Sequence, residues 1–237
     1  FLPGISGRKT VMKHHSMSSR PDVQIGVLEG NPFREDLEQA AALIGLDFAL
    51  TVILTNKKQI SQAFAGHWIK SHRTGVRAAS EMISYQLPRK ADIVLAALGG
   101  APRDGNLWQT EGKGLTRVPV AVRDGGVIIM VAECTEGIGH PELAEALLGG
   151  SVEEILERFR DAEFTVFGNK AFRIASILQK SDIYMATKGL TAKDLGQLPI
   201  KLFPTAQAAL DAAFEKLGTS ASVLVVPDTA GVLLQVG

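Results

Sequence analysis

The feature that most constrains the fold is a change of pattern near residue 88, after which short apolar runs alternate with helical segments. Four runs have strand length and are almost entirely apolar, at 92–98, 127–132, 182–186 and 222–226. Such runs are typical of parallel strands covered on both faces. Ser151 and Glu154 form a capping-box pattern before one helical segment, and Thr205 precedes another. The pattern predicts an α/β fold whose Rossmann-like, largely parallel sheet is flanked by helices.

The part before residue 88 is predicted to form a separate domain. Asn31 can cap a helix, and Pro32 can take its first position, where no amide donor is needed. The last helix should end before Pro88, because a residue that precedes proline is disfavoured in the α region. The predicted domains are 1–87 and 88–237. The expected elements of the first are a helix near 10–15, a helix from Pro32, a strand at 48–54, a helical stretch after Asn56 to Lys58 that breaks at Gly66, and a helix at 68–86.

Charge and composition exclude several classes of protein. Lys plus Arg and Asp plus Glu each number 25, so the balance favours neither nucleic acid nor an anionic membrane as a partner. No apolar run approaches the roughly 20 residues that cross a bilayer, and the one cysteine, Cys134, favours a reducing cytoplasm. The chain begins with Phe1 instead of Met and lacks a signal-peptide pattern, so we expect it to be part of a longer polypeptide.

Two glycine-rich loops that follow predicted strands are the candidates for a ligand site. They are 99–109 and 133–140, and the carboxyl ends of parallel strands are where ligands bind in such sheets. Glycines let the backbone approach a ligand, and Asn106, Gln109 and Lys113 can supply donors. The same residues are also typical of turns that simply end strands. Neither loop has the dinucleotide fingerprint or the P-loop spacing, so composition alone leaves the ligand undefined.

Histidines are the candidate metal ligands. His14 and His15 are adjacent, and neighbouring side chains on a helix point about 100° apart, so we expect at most one of them to bind a given metal together with distant partners. His67, His72 and His140 show no metal-site spacing. Cys134 is expected to be a small buried side chain and not a nucleophile. The acids Glu35 and Asp36 suit the positive end of the helix that they open.

These residues also resemble a known family. The resemblance rests on Phe1-Leu2-Pro3-Gly4 followed by Thr10 to His15, on Gly30-Asn31-Pro32-Phe33-Arg34-Glu35-Asp36, on Gly99-Gly100 through Trp108-Gln109, on Gly125 to Ile129, and on Glu133-Cys134 through Gly139. In this order the motifs are similar to those of the lactate racemases that depend on a nickel-pincer nucleotide. They span roughly the first 140 residues, and the rest agrees mainly in pattern.

The resemblance implies roles for particular residues. It implies that His15 binds nickel, with His14 beside it, and that a lysine upstream of Phe1 carries the nucleotide. It also implies that Trp108, Gln109 and Lys113 contact cofactor or substrate, and that Gly99 and Gly100 contact cofactor. The family lysine follows the glutamine by three residues, where this chain has Gly112, so Lys113 needs a local bulge to reach the same place.

The activity implied is inversion of the hydroxyl-bearing carbon of a lactate-like 2-hydroxy acid, by hydride transfer to the cofactor at an interdomain cleft. The family's acid/base histidines and substrate-binding arginine would lie in the missing N-terminal segment, so we expect this chain alone to be inactive. The alternative is a non-catalytic nucleotide-binding or regulatory module of the same fold. The missing glycine fingerprint disfavours a nicotinamide dehydrogenase.

Overall fold

The computed structural model describes residues 2, 4–55 and 57–237. Phe1, Pro3 and Asn56, which contribute to the predictions above, lie outside the described residues. The contacts divide the chain into two compact units, Phe1–Ser84 and Tyr85–Gly237. Among the described residues, no helix has both the length and the apolar character that crossing a membrane requires.

The first unit combines helices with a two-stranded hairpin. Its elements are α1 (Arg8–Ser16), α2 (Pro32–Ile44), β1 (Ala49–Leu54), β2 (Ile60–Gly66) and α3 (Trp68–Ile83). The strands β1 and β2 pair antiparallel, and α3 packs against both of them. The predicted strand at 48–54 and the predicted helices near 10–15 and from Pro32 are therefore present.

The first turn of α2 forms as its sequence predicts. The Asn31 side-chain oxygen accepts hydrogen bonds from the amides of Phe33 (3.1 Å) and Arg34 (3.3 Å), and Pro32 occupies the first turn. The helix ends at Gly45, whose φ of 74° is a left-handed conformation that glycine adopts without steric strain. Local sequence thus determines both ends of α2.

The prediction of a helical stretch between Lys58 and Gly66 is wrong, because this stretch contains β2. The polar residues before it form a tight turn. The Thr55 amide donates to the Gln59 carbonyl oxygen (2.8 Å), and the Lys58 amide donates to the Thr55 carbonyl oxygen (2.8 Å). The turn returns the chain beside β1, and pairing along that strand outweighs the weak local preference for helix.

The second unit is built on a five-stranded parallel sheet with the predicted fold class. Its strands, with β3 starting at the boundary between the units, are β3 (Ser84–Leu87), β4 (Ala91–Ala97), β5 (Val122–Val131), β6 (Asp182–Ala186), β7 (Lys201–Phe203), β8 (Val223–Val226) and β9 (Leu233–Val236). The sheet order is β7-β6-β5-β4-β8, and β3 pairs separately with β9. Because β3 starts at Ser84, the predicted helix at 68–86 ends earlier, at Ile83.

Helices cover both faces of this sheet. They are α4 (Leu107–Thr110), α5 (Pro141–Leu148), α6 (Val152–Arg160), α7 (Val166–Leu178), α8 (Ala192–Leu195) and α9 (Ala206–Leu217). Alternate residues of β5 enter different cores: Ile128 and Met130 belong to the larger one, whereas Val127 and Ile129 pack with residues of α9. This alternation explains why the strands are apolar on both faces.

The connectivity of the sheet defines a crevice. From β4 the chain adds β5, β6 and β7 on one side, and it then returns to place β8 on the other side of β4. Ligands of open α/β sheets bind at such a reversal, outside the carboxyl ends of the strands. The loop that follows β4, which contains Gly99 and Gly100, lies at this position.

Candidate functional site

The two glycine-rich loops lie side by side at the carboxyl edge of the sheet. The amides of Leu107 and Trp108 donate to the carbonyl oxygens of Gly137 (2.9 Å) and Ile138 (3.1 Å). In the same way, the Cys134 amide donates to the Asp104 carbonyl oxygen at 2.8 Å. Backbone hydrogen bonds therefore join two segments that the sequence separates by more than 20 residues.

Asn106 holds this junction and is not available to a ligand. It is buried; its side-chain oxygen accepts from the Gln109 amide (2.9 Å), and its Nδ2 donates to Glu136 (2.8 Å). A Cβ atom on Gly139 would lie 2.5 Å from the Asn106 side chain, so this close packing requires glycine. The expectation that Asn106 is a ligand donor is therefore wrong. Its bonds instead fix the start of α4, which carries Trp108 and Gln109.

An aromatic cluster stands beside α4. The His140 ring stacks on Phe167 with centroids 3.9 Å apart, and Trp108 meets both rings edge-on at about 6 Å. His140 also caps α5, because its Nδ1 accepts from the Glu142 amide (3.3 Å). The half-buried Trp108 is thus held by packing, and its ring forms an apolar wall next to Gln109.

After α4 the chain forms a π-helical turn, Glu111–Leu115, that carries Lys113. The Lys113 carbonyl oxygen accepts from the Thr229 hydroxyl (2.8 Å), which anchors its backbone, while its side chain is exposed. Within the described part of the chain, neither the Gln109 amide group nor the Lys113 ammonium group has a hydrogen-bond partner. Gln109 and Lys113 are therefore two free polar side chains of this segment.

Glu111, between them, is fully buried and paired with two cations from α7. Its carboxylate accepts from Lys170 Nζ and from Arg173 Nε, the latter at 2.7 Å. Lys170 Nζ also donates to the Trp108 carbonyl oxygen (3.4 Å). Burial lowers the pKa of Lys170, although Glu111 acts in the opposite direction. This cluster was not predicted from the sequence. The signal that could have indicated it is a charged residue on an otherwise apolar helix face, both in α7 and in the turn.

An ion pair lies beside the glycines at the reversal of the sheet. Gly99 and Gly100 are exposed and have φ values of 78° and 85°. Arg103 donates to both carboxylate oxygens of Asp228, at 2.9 and 3.0 Å, and to the Leu98 carbonyl oxygen at 3.3 Å. Arg103 and Asp228 were not predicted, because they are distant in sequence and only the fold brings them together.

Cys134 is buried, as expected. Its φ is 50°, and burial raises the pKa of its thiol. The Thr110 hydroxyl lies 3.7 Å from its sulfur. A buried thiol with a raised pKa is a poor nucleophile, so Cys134 is part of the packing between the loops.

In the first unit, the adjacent histidines have different surroundings. His15 Nδ1 lies 2.9 Å from the Val11 carbonyl oxygen; a carbonyl oxygen only accepts, so Nδ1 carries the proton and Nε2 keeps its lone pair in the neutral ring. His14 is almost fully buried, with Nδ1 2.7 Å from Asp36. Its Nε2 is buried without a partner among the described residues. Asp36, expected to suit the helix dipole, therefore also pairs with a buried histidine.

Two other candidate histidines, His67 and His72, lie at the start of α3 and within it. His67 Nδ1 accepts from the Ile69 amide (3.3 Å) at the start of α3. His72 is half-buried, and burial lowers its pKa. Among the described residues, no three His, Cys, Asp or Glu side chains are grouped closely enough to hold a metal ion.

The fold defines an α/β protein whose candidate ligand site lies at a topological reversal of the sheet. The model of the family described as lactate racemase C-terminal domain matches residues 87–234. The chain therefore belongs to the lactate racemase family.

Similar proteins agree with this family. The lactate racemase of Thermoanaerobacterium thermosaccharolyticum is 32% identical and that of Lactiplantibacillus plantarum 29%; each alignment covers 99% of this chain and 56% of the relative. The structure of the apoprotein of the former superposes with a TM-score of 0.87 at 30% identity, covering 99% of this chain and 57% of the other. A Thermotoga maritima protein shares the fold at 14% identity, with a TM-score of 0.59 over 87% of this chain and 54% of that one. The chain thus spans little more than half the length of the lactate racemases it matches.

Proposed function

We propose that this chain is part of a racemase or epimerase that inverts the hydroxyl-bearing carbon of a lactate-like 2-hydroxy acid. The observation that carries the proposal is that the Gln109 and Lys113 side chains, in the segment that also carries Trp108 at the carboxyl edge of the sheet, have no hydrogen-bond partner among the described residues. The surrounding polar groups, Asn106 and Glu111, are already bonded within the fold. Membership of the lactate racemase family supplies the class of reaction.

The proposed roles follow from the chemistry of the side chains. The Lys113 ammonium attracts the substrate carboxylate, and the Gln109 amide donates a hydrogen bond that orients it. Trp108 supplies an apolar wall that limits the approach of water. The backbone of Gly99 and Gly100, open and without side chains, contacts the cofactor.

The spacing of Lys113 has a structural rationale. In the family the lysine lies three residues after the glutamine. This chain has Gly112 at that position and Lys113 one residue later. A π-helical turn accommodates one inserted residue within a helix, and Glu111–Leu115 is such a turn. This geometry supports the assignment of the lysine role to Lys113.

We assign the metal to His15. Its Nδ1 is held by a backbone carbonyl oxygen, the usual partner that orients a metal-binding histidine, so Nε2 is the proposed nickel ligand. When bound, the nickel-pincer nucleotide supplies the acceptance and return of a hydride at the hydroxyl-bearing carbon. The lysine that carries it and the acid/base groups are assigned to an N-terminal segment, so the isolated chain is expected to be inactive.

The domain limits 1–87 and 88–237 and a cytoplasmic location belong to the same proposal. The match to the family model starts at residue 87, close to the proposed limit between the two domains. The single cysteine, Cys134, is buried and unpaired, which supports the proposed cytoplasmic location because disulfides are rare in the cytoplasm.

The test is to measure nickel by elemental analysis and the intact mass of the full-length protein, produced together with the cofactor-building enzymes. We expect stoichiometric nickel and a lysine-linked mass increment, with nickel lost in His15→Ala and the protein still folded. His67→Asn, which retains a helix-capping acceptor, is the matched control and should keep its nickel. No nickel and no adduct in the wild type would instead identify a non-catalytic binding module.

A further inference from the structure

The cluster of Glu111, Lys170 and Arg173 lies directly behind the segment that presents Gln109 and Lys113. Glu111 has no exposed surface and Lys170 is 8% exposed. The two cations lie three residues apart on α7, one turn of the helix, and each binds a different oxygen of the same carboxylate. The helix therefore holds the π-helical turn from one side through three charged groups.

Stability alone gives little reason for this arrangement. Transfer of a carboxylate and an ammonium group out of water costs free energy that their attraction often fails to recover, and apolar residues of similar volume frequently stabilise a protein as well or better. Directional bonds, in contrast, fix where the bonded atoms lie. A buried ion cluster behind a free lysine is thus better explained by the geometry that it imposes.

The contacts of Lys170 specify which atoms it positions. Its Nζ bonds to Glu111 inside the turn and to the carbonyl oxygen of Trp108 before it, so it spans Gln109 and Thr110, which lie between. Nζ also lies 3.1 Å from the point where a Cβ atom on Gly112 would stand. A side chain at position 112 would push the ammonium group away, which couples the glycine to the buried lysine.

We infer that Lys170 is a positioning residue for substrate binding. Acting through Glu111 and the Trp108 carbonyl oxygen, it holds the turn so that Gln109 and Lys113 meet the substrate carboxylate. The inference rests on the proposed function, because it assigns Lys170 a task only if these two residues bind that carboxylate. Lys170 itself is buried and does not contact substrate.

The test uses the full-length, cofactor-loaded enzyme and the variant Lys170→Met, which keeps the length of the side chain and removes its charge. Arg173 still pairs with Glu111 in this variant, so we expect it to fold. We expect KM for the 2-hydroxy acid to rise about 10-fold or more with a smaller change in kcat, since small misplacements of binding groups have large kinetic effects. Simple loss of folded enzyme would lower the apparent kcat and leave KM unchanged.

Two further variants make the test specific. When Lys170→Met is added to the pair Gln109→Ala and Lys113→Ala, KM should equal that of the pair alone, because a residue that acts through Gln109 and Lys113 has no effect once both side chains are absent. Ser176→Ala is the matched control on the same helix. The Ser176 hydroxyl donates to the Phe172 carbonyl oxygen (2.8 Å) and not to the cluster, and we expect KM to change less than about 3-fold.

Amide hydrogen exchange separates this inference from the proposed function, because it needs no activity. Exchange in residues 107–116 should rise in Lys170→Met while the strands of the sheet keep their protection. Unchanged KM and unchanged exchange would overturn the inference. A wild-type enzyme without activity, but with the predicted rise in exchange, would overturn the proposed function and retain the structural role of Lys170.

If Lys170→Met fails to fold, Gly112→Ala addresses the same question by displacing the ammonium group instead of removing it. We expect it to raise KM and the exchange of residues 107–116 as Lys170→Met is expected to do. Wild-type KM and wild-type exchange in this variant would also overturn the inference.

Discussion

The two units of the chain differ in how they use their apolar residues. In the second unit the strands β4, β5 and β6 carry fully buried side chains on both faces, such as Ile93 and Ile128. In the first unit one face of the hairpin is apolar and open, with Phe48 and Leu50 62% and 65% exposed. A similar apolar content thus produces a closed core in one unit and an open apolar face in the other. The difference implies that the second unit has much more stability of its own.

The largest effect should come from truncating matched apolar residues in the two units. We expect Ile128→Ala to reduce the free energy of unfolding of its unit by about 2–5 kcal/mol, because the cavity is enclosed by neighbouring strands and helices. Leu50→Ala should change it by less than about 0.5 kcal/mol, since the side chain is mostly in water already. Urea unfolding of the chain measures both. A cost for Leu50→Ala as large as that for Ile128→Ala would show that this face is covered in solution and would break the comparison.

The same contrast explains how much of the fold the sequence could predict. The strands β4, β5 and β6 were predictable because burial on both faces leaves continuous apolar runs. β8 was predictable from its run of Val and Leu residues, although Val223 and Val225 are exposed. β7 was not, since a strand of three residues, Lys201–Phe203, leaves no run to detect. β2 was missed because ISQAFAG is mostly exposed and has no strong periodic pattern, so only pairing with β1 defines it.

The candidate site was predictable in part for related reasons. Local sequence marked Gln109, in a glycine-rich loop after a strand, and Lys113, four residues later, as possible donors, but their proposed roles came from the resemblance to the family. The pairing of Glu111 with Lys170 joins residues 59 positions apart, and that of Arg103 with Asp228 joins residues 125 apart. No local pattern encodes such pairs, because their energy depends on the packing of distant elements.

A smaller effect is expected from removing helix caps. Because a cap depends on local sequence, caps in the two units can be compared directly. Ser151→Ala removes an exposed cap of α6 in the second unit, and we expect a cost of about 1 kcal/mol. Asn31→Ala in the first unit should cost about 2 kcal/mol or more, because the buried Asn31 side chain also donates to the carbonyl oxygens of Gln24 (3.1 Å) and Val27 (3.0 Å).

Asn31→Ser is the control for this pair, since it keeps a capping oxygen and loses the two donated bonds. It should fall between Asn31→Ala and the wild type in thermal or urea unfolding. If all three substitutions cost the same, the additional bonds of Asn31 contribute nothing, and the cap alone determines the entry to α2.

The smallest effect is a pH dependence in the second unit, where Asp92 joins three strands. Its carboxylate accepts from the Ser222 hydroxyl (2.6 Å) before β8, from Arg123 Nε (2.6 Å) on β5 and from the Ser222 amide (2.8 Å). These bonds, those from the Ser222 hydroxyl and Arg123 first, hold the pKa of Asp92 well below its usual range. A lowered pKa in the folded state means that the stabilisation is complete above about pH 4 and is lost as the pH falls through the folded-state pKa.

We therefore expect Asp92→Asn to be less stable than the wild type at neutral pH, with the difference shrinking as the pH falls below about 4. Denaturant unfolding at a series of pH values from 7 to about 2 measures this convergence. Asp211→Asn, on the exposed surface of α9, is the matched control and should follow the wild type throughout. A constant difference between Asp92→Asn and the wild type at every pH would mean that the shape of the side chain, and not its charge, joins these strands.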